Sequence, residues 1–268
     1  MSDPASEPVA STEPAQGTRQ LLLAAALDAL IAVLVVFATS IGIVTAWTVW
    51  RSLQLHGQGV TGGREIAAAL GQPGILVQIL TAIASTSAAA LLLYFWRRRA
   101  GAAERAASLQ ALRQPRTWGL ALGTGAVVYV ATLGSSWLLE QLVGSDPVPT
   151  NLAMIEQAWA QWPLFLLLFA TVLAPAYEEL LFRRVLFGRF LQGGRPLLGL
   201  ALSSVGFALM HEMPGISANP WPAVAHLLLL YTGMGAAFAW VYWRTGTLWA
   251  AIIAHGVNNA LALLFHVL

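Results

Sequence analysis

The sequence predicts an all-α protein, a polytopic transmembrane helical bundle of about seven spans, or eight. Three observations carry that expectation. Apolar residues make up 57% of the 268 and charged residues only 10%, whereas a soluble domain carries roughly 25% charged residues. The apolar residues gather in runs of about 20, the length a helix needs to cross a ~30 Å hydrocarbon layer. The 14 basic residues are all arginine and crowd onto one side of those runs.

Residues 1–19 form a polar segment rich in Pro and Ser without apolar periodicity, expected to be a disordered tail. The apolar run that follows, from Leu21 to about Trp50, far exceeds the 7–15 apolar residues of a signal peptide and is expected to stay as the first span. Further spans are expected at about 74–96, 118–143, 162–191, 196–212, 222–243 and 247–265. Residues 20–150 then make a set of N-terminal transmembrane helices and 151–268 a C-terminal core. No repeat period is evident, which gives no support to an inverted-repeat transporter.

With the N-terminus in the cytoplasm, seven spans leave only Arg51 and Arg64 of the 14 arginines on the outer side. That asymmetry is the positive-inside pattern. It predicts an integral protein of a bacterial inner membrane with the C-terminus outside. The absence of cysteine excludes disulfides and thiolate metal sites. The partners expected are membrane lipid and a membrane-embedded peptide; no nucleic-acid partner is expected.

Ionisable groups inside a span cost several kcal/mol and are functional candidates by default. The fourth span carries Glu178 and Glu179. Residues four apart share a helix face, so Glu179 lies over Arg183 and pairs with it in an orienting, structural role. Glu178 is turned about 100° away. It has no cationic partner on its own helix and is free to take a proton as a general base.

In the fifth span Phe207 and His211 share a face. Glu178 lies about as far before the Gly193-Gly194 turn as His211 lies after it, so an antiparallel hairpin brings the two to one depth. In the seventh span His255 and Asn259 share a face, with Gly256 permitting close approach. His211-Glu212 looks like the start of a zinc-protease HExxH, but the second His is missing and Pro214 would break the helical turn. Gly119/Gly123 and Gly233/Ala237 have the four-residue spacing of close helix packing. Pro175 is expected to kink its helix and free the Thr171 carbonyl.

The ordered set Glu178-Glu179-x-x-x-Arg183, Phe207-x-x-x-His211 and His255-x-x-x-Asn259 resembles the CPBP family of intramembrane endopeptidases, the CAAX prenyl proteases and their bacterial Abi relatives. The resemblance covers about 160–265. It implies hydrolysis of a peptide bond in a membrane-embedded or lipidated peptide, with Glu178 and His211 activating water and His255 and Asn259 stabilising the oxyanion. The family is often labelled metalloprotease, and Glu178, His211 and His255 could ligate zinc with water in the fourth position. With only two histidines, no cysteine and Asn a poor zinc ligand, a metal-free glutamate mechanism without cofactor is favoured, and zinc stays open. The alternative reading is a non-catalytic immunity or scaffold protein, or a small transporter, that keeps the polar cluster for binding.

Overall fold

A computed structural model describes residues 17–144 and 148–266. The described residues form helices joined by short turns, with no strand among them. In chain order the helices are α1 (Thr18–Gly57), α2 (Gly63–Ala69), α3 (Ile75–Arg97), α4 (Ala102–Leu112), α5 (Pro115–Val143), α6 (Leu152–Gln161), α7 (Pro163–Gln192), α8 (Pro196–His211), α9 (Trp221–Thr245) and α10 (Leu248–His266). Six of them, α1, α3, α5, α7, α9 and α10, are long and apolar enough to cross a membrane. The shorter apolar helix α8 takes the place of the fifth expected span. The chain is an integral membrane protein.

Residues 1–16 of the expected tail lie outside the described residues. Thr18 and Arg19 are already helical, because the Gly17 carbonyl accepts from the Gln20 N–H and the Gln20 side chain accepts from the Gly17 N–H. That reciprocal pair starts α1 slightly earlier than the composition suggests. At its far end α1 runs on to Gly57, well beyond Trp50. Only 17% of its most apolar window is buried inside the bundle, so most of its surface is left for lipid.

The helices pack side by side: α1 on α3 and α8 on α9 as antiparallel pairs, α5 on α10 in parallel, with α7 in contact with α3, α8 and α10. This arrangement puts α7 at the centre. A large share of its residues is buried, among them Tyr177, Glu178, Glu179, Arg183 and Phe187. Within α7 the segments Phe169–Leu173 and Leu180–Phe187 wind as π-helix. Pro175 lies between them; it has no N–H to give to Thr171, and the wider winding leaves main-chain carbonyls free.

Close packing falls on other glycines than the spacing suggested. A Cβ on Gly119, Gly123 or Gly233 would meet nothing within 4 Å. These residues face outward. Tight positions include Gly125, where a Cβ would come within 2.5 Å of the Ala254 carbonyl, and Gly256, where it would overlap the Thr171 carbonyl. Backbone therefore meets backbone where α10 crosses α5 and α7. Four-residue spacing of small residues does not say which side of a helix has a neighbour.

At the arginine-rich end, Asp28 of α1 is fully buried between Arg97 of α3 and Arg189 of α7 and pairs with both. This ionic link ties the N-terminal helices to the core. A carboxylate at that depth is retained because both its oxygens are paired.

Candidate active site

Helix α7 presents Glu178 and Glu179 from adjacent positions, and their surroundings differ as the helical geometry requires. Glu179 is completely buried. Its Oε2 lies 2.8 Å from Arg183 Nε one turn later. Its Oε1 accepts from His255 Nδ1 at 2.9 Å. One carboxylate thus bridges α7 to itself and to α10.

Arg183 is also completely buried, and its Nη1 and Nη2 have no hydrogen-bond partner. Aromatic faces surround the guanidinium instead: its carbon stands 4.8 Å from the Phe207 ring centre and 5.8 Å from those of Phe182 and Phe238. Cation–π attraction is strong where water is excluded, and it holds the cation in place beside Glu179.

Glu178 is buried, and its Oε2 has no hydrogen bond to the protein. Two imidazole nitrogens converge on that oxygen, His211 Nε2 at 3.6 Å and His255 Nε2 at 3.9 Å. The hairpin of α7 and α8 therefore does bring Glu178 and His211 to one depth. Hydrogen-bond partners fix the ring tautomers. His211 Nδ1 lies 2.8 Å from the Phe207 carbonyl and His255 Nδ1 lies on the Glu179 carboxylate. Neither partner donates, so both Nδ1 atoms carry hydrogen and both Nε2 atoms are left as acceptors facing Glu178.

Phe207 packs between these groups. Its ring centre is 4.3 Å from that of His211 and 5.8 Å from that of His255. Two aromatics that the sequence reading passed over complete the enclosure. Tyr231 of α9 stacks on His211 at 4.8 Å, and Phe238 of α9 stacks on His255 at 4.8 Å. A hydroxyl-bearing ring in the middle of an apolar span, rather than at its end, is the one signal by which Tyr231 could have been found.

Asn259 is held differently from its neighbours. Its Nδ2 donates to the Ala170 carbonyl at 2.9 Å, and its Oδ1 accepts from Asn258 at 3.0 Å. The first bond is made to a main-chain oxygen in the π-helical segment of α7. Asn259 therefore clamps α10 to α7 and keeps one amide hydrogen free.

Glu212, one residue beyond His211, is buried and laces two loops together. It accepts from Thr150 Oγ1 at 2.7 Å and from Asn219 Nδ2 at 3.3 Å. Burial pushes its carboxyl up, but hydrogen bonds from Ser217, Thr150 and Asn219 outweigh this and hold it below the ordinary carboxylate range. It takes no part in the cluster around Glu178 and is no remnant of HExxH.

A tetrahedral zinc site with ~2.0–2.1 Å bonds sets its donors about 3.3 Å apart. The two histidines stand 3.6 and 3.9 Å from Glu178 Oε2, a more open set than such a site requires. Among the described residues no group of three or more His, Cys, Asp and Glu is placed to hold a metal ion.

Fold and site together define a polytopic helical membrane protein with a buried carboxylate–imidazole centre. Comparison with known proteins agrees. The family described as "Type II CAAX prenyl endopeptidase Rce1-like" matches residues 160–261. The chain is 32% identical over 94 residues to "Putative membrane peptidase YdiL" of Bacillus subtilis, which covers 35% of this chain and 34% of that protein. It is 28% identical over 149 residues to "Membrane-embedded CAAX protease MroQ" of Staphylococcus aureus, covering 53% of this chain and 56% of that protein. The matches thus span about a third and about half the length of these relatives. No solved structure gives a significant match. The matched region carries all three motifs, so the family model and the two relatives agree with the resemblance to the CPBP family.

Proposed function

We propose that the chain is an intramembrane endopeptidase that hydrolyses a peptide bond in a membrane-embedded or lipidated peptide, using water activated by Glu178. The observation that carries this reading is the convergence of two imidazole Nε2 atoms on the unpartnered Oε2 of Glu178. Separations of 3.6 and 3.9 Å are too long for direct hydrogen bonds and suit a shared water.

Such a water donates one hydrogen to Glu178 Oε2 and the other to His211 Nε2, which leaves its lone pair for the scissile carbonyl. As the C–O bond forms, Glu178 takes the proton. The carbonyl oxygen becomes an oxyanion, which the free amide hydrogen of Asn259 stabilises, together with His255 Nε2 when that nitrogen is protonated. Glu179 at Nδ1 balances the charge of a protonated His255. Collapse of the tetrahedral species breaks the C–N bond, and the proton on Glu178 passes to the leaving amine. No resident cofactor is assigned.

The matched relatives come from bacteria, which supports a bacterial inner membrane as the location. The arginine asymmetry supports a cytoplasmic N-terminus. The deciding experiment is cleavage of a membrane-peptide library in vesicles by the wild type and by Glu178→Ala, with insertion of both checked. Cleavage by the wild type alone supports a peptidase. Equal products, or none from either while the chain still confers a binding or immunity phenotype, would overturn it. Elemental analysis beside activity in chelator settles the metal. Activity retained without stoichiometric metal is expected, and one equivalent of zinc whose removal and return switch activity off and on would refute the metal-free step.

A further inference from the structure

Away from the site, α3 and α7 enclose an apolar groove of about 220 Å³. Its α3 wall is Ile83, Ser87 and Leu91, and its α7 wall includes Leu173, Tyr177 and Leu180. On each helix these residues lie about one turn apart, in one stripe. Extended towards the arginine-rich end, the α3 stripe reaches Arg98 and the α7 stripe reaches Arg184. Leu91 to Arg98 is seven residues, about 10 Å along a helix.

The two arginines meet there: Arg184 Nε donates to the Arg98 carbonyl at 3.2 Å. Arg97 and Arg189 stand beside them on Asp28. Four guanidinium groups are thus gathered against two carboxylates, Asp28 and Glu104. Arg98 is the least satisfied of the four. Its Nη2 donates to Gln192 at 2.7 Å, while its buried Nε has no partner. Burial, and then the like charges of Arg189 and Arg184, bring its guanidinium down to about 10. A bound anion would relieve both effects.

We propose that groove and cluster form one binding site for an anionic phospholipid, with its phosphate on Arg98, beside the bidentate Arg184–Glu104 pair, and an acyl chain laid between α3 and α7. The order of parts matches the ligand. An apolar channel stands at hydrocarbon depth, and excess positive charge stands at the helix ends, where a head group lies. Tyr177 lines the middle of the groove and directly precedes Glu178, so the chain would rest against the helix that carries the candidate base.

The test uses the full-length protein in neutral detergent, with phosphatidylglycerol, phosphatidylcholine and soluble glycerol 3-phosphate as probes. Native mass spectrometry and thermal melting are the readouts. Phosphatidylglycerol is expected to stay bound and raise the melting temperature, phosphatidylcholine to do neither, and glycerol 3-phosphate to bind far more weakly for want of a chain. Arg98→Gln should weaken phosphatidylglycerol about fivefold, the worth of one cation near a membrane surface. Arg98→Lys should keep most of the binding, and Arg64→Gln should change nothing. Ser87→Trp, which fills the groove, should weaken the lipid without affecting glycerol 3-phosphate. If Arg98→Gln fails to fold, the wild type still decides: its preference for phosphatidylglycerol should fall with added salt. Equal retention of both lipids, salt-independent binding, or full binding by folded Arg98→Gln and Ser87→Trp would overturn the proposal.

Discussion

At the scale of single residues, one helical step separates two carboxylates with different tasks. Glu179 spends both oxygens on Arg183 and His255, whereas Glu178 keeps Oε2 unpartnered between two imidazoles. Glu179→Gln leaves the buried Arg183 without its counter-charge, a loss of about 3–5 kcal/mol for a buried pair. The expected outcome is a lower melting temperature and poor yield, with activity falling in step with folded protein. Glu178→Gln removes no protein hydrogen bond at Oε2. It should fold and insert as the wild type does, while turnover drops by about 10²–10⁴, the usual worth of a general base. Measuring both variants for yield and for cleavage checks the division of labour, and indistinguishable behaviour would refute it. Much of this was legible beforehand. The pattern of residues four apart placed Glu179 on Arg183, Phe207 by His211 and His255 beside Asn259, because helical geometry fixes those neighbours. Tyr231 and Phe238 were not legible, since a ring in an apolar span carries no sign of which helix it will meet. Nor was the Asp28 clamp, whose partners lie 69 and 161 residues away in the chain.

At the scale of elements, the site depends on how closely α10 approaches α7. Pro175 and the π-helical turns leave carbonyls of α7 facing outward, and α10 answers with Gly256 on Thr171 and with the Asn259 amide on Ala170. Sequence spacing suggested the freed Thr171 carbonyl but not what would cover it, because the choice depends on the crossing of two distant helices. A Cβ at Gly256 overlaps the Thr171 oxygen, so Gly256→Ala must push the helices apart. Overpacking of this kind costs about 1–3 kcal/mol. The shift should also lengthen the His255–Glu178 gap, so activity should fall by more than the loss of stability explains. Asn259→Ala should show both of the residue's roles. An unpaired buried carbonyl at Ala170 costs about 1–3 kcal/mol, and loss of one oxyanion donor costs about 10²–10³ in rate. Melting curves set beside kcat and KM for the two variants check this. An Asn259→Ala enzyme that is destabilised yet fully active per folded molecule would reduce Asn259 to the clamp alone.

At the scale of the whole molecule, the bundle and its buried polar centre follow from composition and run length, while the path through the membrane turns on α8. That helix has 16 residues, about 24 Å of rise, against the ~30 Å hydrocarbon layer. It is nevertheless apolar from Leu197 to Met210 and packs antiparallel on the 25-residue α9. Its His211 end needs to reach only the depth of the Glu212 loop network, where buried polar groups are paired. We therefore expect α8 to count as a crossing. The chain has no cysteine, so single introduced cysteines report position without background. Ala103 of α4 and Ala218 of the α8–α9 loop are both exposed. If all seven apolar helices cross, Ala103→Cys and Ala218→Cys lie on opposite faces. A membrane-impermeant maleimide added to intact cells should then label Ala218→Cys and spare Ala103→Cys until the membrane is opened. The reverse pattern keeps seven crossings but inverts the orientation read from the arginines. Labelling of both from one side would mean that α8 turns back within the membrane, which leaves six crossings and both flanks of the site on one face.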